Sequence, residues 1–193
     1  MNTSLTLLLA SCLLLGACSA PEMLAPRDGT VPAGTDLSGN WVKREISPAE
    51  RRRLREAIDK TDGTDGNASS RQRSARGGSR SVRGGLVHVF LETGSALKVT
   101  QTAHALFISF DRSVVEEFRF GENRQVSIGA VQAQRVTGWE DTQLVVETLD
   151  RNGMKLTERI YLADGGKTLR REITLRSNKL EEETVVQEFD RVE

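Results

Sequence analysis

The chain has 193 residues, and its 27 Lys plus Arg balance 27 Asp plus Glu, so no net basic field argues for nucleic acid as a partner. Its cysteines, Cys12 and Cys18, both precede residue 19. That leaves the body of the chain without material for a disulfide, a thiolate nucleophile or a cysteine metal site.

From Leu5 to Leu15 the chain is uncharged and rich in leucine. Such a run falls short of the roughly 18 residues a membrane span needs but suits the apolar core of a secretory signal. It closes on Leu15-Gly16-Ala17-Cys18, which resembles the lipobox of bacterial lipoproteins. The resemblance implies a signal peptide over residues 1–17, a diacylglycerol on the Cys18 thiol and a third acyl chain on the freed amine. Leu9-Ala10-Ser11-Cys12 fits the same pattern, but cleavage there would leave a core shorter than the roughly 7 to 15 residues a signal requires. Ser19 stands where an aspartate would imply retention in the inner membrane. The resemblance therefore implies the outer membrane, with the protein facing the periplasm. Residues 18–36 carry Pro21, Pro26, Pro32, Gly29 and Gly34 without periodicity, the composition of a tether.

The folded domain is expected over 37–193. Leu37-Ser38-Gly39-Asn40-Trp41-Val42 leads into a short strand, and Ser47-Pro48-Ala49-Glu50 is a capping box with proline at the first helical position. A helix from about Pro48 to Asp59 follows, with Leu54, Ala57 and Ile58 as its apolar stripe. Between 61 and 85 the chain is mostly Gly, Ser, Asn and Ala around Arg71, Arg73, Arg76, Arg80 and Arg83. So few apolar groups cannot offset the ordering entropy, and a disordered basic arm is expected. Leu86 to Leu91 suits either a strand or a short helix.

Beyond Ala96 the pattern has period two. Strands are expected near 96–101, 105–110, 114–120, 124–133, 134–139, 143–149, 155–162, 168–176 and 181–191. Links as short as Asp111-Arg112, Asn152-Gly153 and Asp164-Gly165-Gly166 hold no crossover helix, so neighbouring strands must pair antiparallel. One strand phase is apolar, and a sheet of about nine strands with one wet face curls until the apolar face closes on itself. The fold class is mainly β: an antiparallel meander forming a barrel or curved half-barrel, with one short N-terminal helix.

Two charges lie on the apolar phase. Glu158 shares it with Leu156, Ile160 and Leu162, and Arg171 with Leu169, Ile173 and Leu175. If the turn at 164–166 sets Leu162 opposite Leu169, Glu158 and Arg171 become diagonal neighbours inside the barrel. They are the candidate ligand anchor or internal ion pair.

Gly39-Asn40-Trp41 before a meander resembles the start of lipocalins, where the tryptophan closes the barrel bottom against a late arginine. Leu37 to Trp41, Trp139 to Thr148 and Leu156 to Leu169 are similar to bacterial envelope domains that open with Leu-Ser-Gly-x-Trp, a family that implies no activity. Catalysis finds little material: His88 and His104 have no announced partners, and Glu116 and Glu117, adjacent in a strand, face opposite ways. No enzyme, metal or cofactor is expected. Two roles fit: a lipid-anchored, lipocalin-like binder of an apolar small molecule or lipid, or an interaction protein whose surface and basic arm dock an anionic envelope partner.

Overall fold

The computed structural model describes residues 22–45, 48, 49, 52, 53, 56, 87–177 and 180–193. The expected signal peptide, Cys18 and the basic arm lie outside the described residues, as does most of the helix expected over 48–59, including Leu54, Ala57 and Ile58. Among the described residues no helix is long and apolar enough to cross a membrane.

Ten strands form one sheet: β1 (Gly39–Lys43), β2 (Ala96–Gln101), β3 (Ala105–Phe110), β4 (Val114–Arg119), β5 (Glu122–Ile128), β6 (Val131–Glu140), β7 (Gln143–Asp150), β8 (Lys155–Ala163), β9 (Thr168–Ser177) and β10 (Leu180–Val192). Their order is β4-β3-β2-β1-β10-β9-β8-β7-β6-β5, with every neighbouring pair antiparallel. The meander curls into a nearly closed barrel because β10 returns to pair with β1. One seam stays unpaired. β4 and β5 follow each other through Phe120 and Gly121, yet they are the two edges of the sheet. The Phe120 amide donates to the His104 carbonyl on one side, and the Gly121 amide to the Thr137 carbonyl on the other.

The expected strands at 124–133 and 134–139 are corrected to β5 and β6, with a reversal between them at Gly129 and Ala130. Gly129 has φ of 57°, a value that costs glycine nothing and lets the chain turn where the apolar pattern runs on unbroken. Within the stretch expected as either a strand or a short helix, Val87–Phe90 forms a 3-10 turn.

Two apolar clusters fill the barrel at different heights. At the end where β4 joins β5, one cluster includes Trp41, Leu106, Phe118, Trp139, Leu144, Ile160 and Phe189, and it draws on every strand but β5. The Arg191 guanidinium covers the Trp41 ring at 4.2 Å and donates to the Ser38 carbonyl, an arrangement like the late arginine of the lipocalin pattern. At the opposite rim, Val87 and Phe90 of the 3-10 turn plug the mouth against Ala133, Leu156, Ile173 and Leu175.

Within the stretch expected as a tether, residues 22–28 form a strap laid along the outside of the barrel, and 29–36 continue past the end where β4 joins β5, with Gly29 against Gly121 and Val31 packed on the apolar cluster there. Glu22 pairs with Arg176 and Lys155 at the plugged rim, and the Leu24 amide donates to Gln134 Oε1. Arg27 reaches Glu140 and Glu147, and the Trp139 amide donates to the Asp28 carbonyl. Burial alone would raise the Glu147 carboxyl, but hydrogen bonds from Lys155 and Arg27 outweigh it and hold the group below its ordinary value. The strap also explains why β7 is buried on both faces: Leu149 packs with Val136 and Leu24 outside the barrel.

Gly138 is where the strap comes closest, since a Cβ there would sit 2.4 Å from the Asp28 carbonyl oxygen and 2.6 Å from Arg27 Cβ. Gly138→Ala should therefore lift the strap and destabilise the protein by about 1 to 3 kcal/mol, as overpacking does. Faster tryptic cleavage after Arg27 is the measurement; an unchanged rate would mean the strap is not held there.

Candidate functional site

Between the two apolar clusters the inward phase of six strands turns polar. β4 contributes Glu116, β6 Arg135, β7 Thr148, β8 Glu158, β9 Arg171 and β10 Gln187. All but Glu116 are buried, and Glu116 is half-buried. Water reaches such groups poorly, so each must find a partner or carry a desolvation cost.

Arg171 is held in an ion pair. β8 and β9 pair with Leu162 opposite Leu169 and Ile160 opposite Arg171, the register expected from the turn, and this brings Glu158 diagonally beside Arg171. Arg171 Nε donates to Glu158 Oε2 at 2.7 Å, while Nη2 meets the same oxygen off the hydrogen-bonding direction. Nη1 donates to the Glu92 carbonyl at 2.7 Å, and the guanidinium lies 5.2 Å from the Phe110 ring centre. Both charged side chains are 1% exposed. This is an internal ion pair stitched to the segment behind the plug.

Arg135 is not provided for. Its guanidinium sits between Phe90 and Phe118, 5.7 and 5.6 Å from their ring centres. Nε makes one long hydrogen bond, 3.3 Å, to Thr148 Oγ1, and no carboxylate among the described residues forms an ion pair with it. Aromatic faces stabilise such a cation by about 2 kcal/mol when it is desolvated, far less than a buried charge loses. Gln187, directly opposite Arg171 in the β9–β10 ladder, is fully buried with neither Oε1 nor Nε2 hydrogen-bonded.

Glu116 Oε2 is likewise shielded and without a hydrogen bond. Burial pushes its carboxyl up to about 7, with Glu158 and Glu92 adding to the rise and Arg135 and Arg171 opposing it. The charged groups that bear on Glu116 are Arg135, Arg171, Glu158 and Glu92, and of the two guanidinium groups only Arg171 is held in an ion pair among the described residues. Arg135 and the Gln187 amide are thus buried donors in this layer that no carboxylate among the described residues engages in an ion pair or hydrogen bond.

Of the residues singled out from sequence, Glu158 and Arg171 stand at the centre of this layer. Cys18, Arg71, Arg73, Arg76, Arg80 and Arg83 lie outside the described residues. Arg135 and Gln187 were missed, although each sits on the phase of an apolar strand, with Ala133 and Trp139 or with Val185 and Phe189. Among the described residues no three His, Cys, Asp or Glu side chains gather to hold a metal ion. A cleft of about 520 Å³ lies on the outside of the wall, against the outward-facing Asn40, Val42, Lys98, Ser109 and Val192.

No protein-family model matches this chain, and no curated protein does. Among solved structures it is similar to secretory abundant heat soluble protein 4 from Ramazzottius varieornatus, with a TM-score of 0.48 at 16% identity over 83% of this chain and 97% of that one. It is also similar to the REP1-NXSQ fatty acid transporter, with a TM-score of 0.43 at 10% identity over 82% of this chain and 97% of that one. Lipid binding protein 8 of Caenorhabditis elegans, in its apo form, matches with a TM-score of 0.44 at 12% identity over 80% of this chain and 94% of that one.

Proposed function

We propose that this protein is a non-enzymatic, Cys18-anchored lipoprotein of the bacterial outer membrane whose barrel holds an amphipathic ligand, its anionic head received by Arg135 in the mid-barrel polar layer. The observation that carries the reading is the buried Arg135 guanidinium, which has no ion-pair partner among the described residues while its neighbour Arg171 is paired with Glu158. A buried charge is rarely left so unless something binds it. The apolar tail of the ligand would take the place of Val87 and Phe90 against Ala133, Leu156, Ile173 and Leu175, so the 3-10 turn acts as a plug that a ligand displaces.

The test uses cis-parinaric acid and its methyl ester as fluorescent probes of the full chain. The acid should bind at least about tenfold more tightly than the ester, the worth of roughly 1.4 kcal/mol, and Arg135→Leu should erase the difference. Equal binding of acid and ester, or no binding of either, overturns the reading.

The external cleft favours a second reading, in which the wall of β1, β2 and β10 docks an envelope protein. Val42 and Val192 are 45% and 40% exposed there, beside Lys98. Photo-crosslinking from Val42 in intact cells separates the two readings, since a barrel that only carries a ligand yields no discrete adduct.

A further inference from the structure

We infer that the plugged rim of the barrel, the end bearing Val87–Phe90, lies against the bilayer that holds the Cys18 acyl chains. The inference rests on the anchor reading and goes beyond it, because an acyl anchor on a free tether would leave orientation undetermined. Here the tether is short. Glu22 is ion-paired to Lys155 and Arg176 at the start of β8 and the end of β9, and it lies four residue steps on from Cys18, with three residues between. Extended chain of that length reaches no more than about 14 Å, so the rim holding Glu22 cannot move far from the lipid surface.

The same rim exposes the apolar side chains that such a surface would cover. Met23, beside the pinned Glu22, is 78% exposed. Val114 and Val115 open β4 and are 39% and 65% exposed; Ile128 closes β5 and is 44% exposed. The registers place all of these at one end of the barrel. β4 and β5 meet through Phe120 and Gly121, so Val114 and Val115, which open β4, and Ile128, which closes β5, stand at the far end of their strands from that link, and Ile128 pairs with Val131 two residues from the plug contact Ala133. Val114, Val115 and Ile128 thus flank the unpaired β4–β5 seam at the end nearest the anchor. Arg112 and Arg151, both exposed in the neighbouring turns, add cationic contacts to the same plane. Four exposed apolar groups on one rim, with the lipid attachment beside them, match a surface that sits at the headgroup boundary.

The experiment uses the acylated full chain, extracted from membranes and reconstituted into vesicles of phosphatidylcholine and phosphatidylglycerol carrying doxyl-labelled lipid. Single cysteines introduced as Val115→Cys, Ile128→Cys and, at the far end in the β2–β3 turn, His104→Cys are labelled with an environment-sensitive dye. Quenching should be several-fold stronger at 115 and 128 than at 104, with blue-shifted emission at the first two. Equal quenching at all three positions, or stronger quenching at 104, overturns the orientation while leaving the anchor intact. Metabolic palmitate labelling of the wild type and Cys18→Ser reports on the anchor separately: label that survives Cys18→Ser overturns both, since nothing then holds Glu22 near a bilayer.

Discussion

Glu158→Ala should destabilise the barrel by about 3 to 5 kcal/mol, the cost of leaving a buried partner charge uncompensated. Arg171 is 1% exposed, and its other contacts, the Glu92 carbonyl and the Phe110 ring, supply no negative charge. The double change Glu158→Leu with Arg171→Leu should be nearly neutral, because two apolar side chains of similar size remove the desolvation cost along with the attraction. Urea unfolding of the two single variants and the double closes a thermodynamic cycle. The coupling energy should account for most of the single-variant losses. Small, additive effects would show that water reaches both side chains and that the pair is not the internal clasp described here.

The second large effect is a dependence of stability on pH carried by Glu116. Its carboxyl lies near 7 in the folded protein against 4.5 when unfolded, so between those values the folded chain binds more protons than the unfolded one. Stability must then fall as pH rises through this window. The contribution is about 2 to 3 kcal/mol, allowing for partial exposure of the group. Glu116→Gln imitates the protonated side chain. It should match the wild type near pH 4.5 and be more stable by that amount above pH 7.5, as read from urea midpoints across the range. The charged groups that bear on Glu116 are Arg135 on β6, Glu158 on β8, Arg171 on β9 and Glu92 behind the plug. Ionisation of Glu116 also adds a negative charge to the layer beside Arg135, so a carboxylate ligand should bind more weakly above pH 7 in the wild type and without that pH dependence in Glu116→Gln. Parallel stability curves for the two proteins would mean that Glu116 is solvated.

The legibility of this protein depended on whether a feature was local. Period-two runs between turns such as Asp111-Arg112 and Asn152-Gly153 specify an antiparallel meander, because side-chain alternation and turn chemistry are settled within a few residues. The Glu158–Arg171 pair was readable for the same reason: a three-residue turn sets its register, and both charges interrupt an apolar phase. Arg135 obeys the same rule but was hidden by a boundary drawn between Ala133 and Gln134, inside what is one strand, where Gly129-Ala130 was not recognised as the turn. The strap could not be read at all. Residues 22–36 have the composition of a linker, and only the closed barrel supplies Gln134, Glu147 and the bare backbone at Gly138 that hold them.

The sequence by itself determined the meander, the alternation of faces and the ion pair across one turn, since each follows from contacts between neighbours along the chain. Tertiary structure alone decided that among the described residues Arg135 meets no carboxylate and the Gln187 amide no hydrogen-bond partner, that burial raises the Glu116 carboxyl, and that the seam and the strap's first residue share a rim with the plug. Those properties depend on what the curled sheet brings across the barrel, from strands far apart in sequence, and no local pattern encodes a desolvation that distant residues impose.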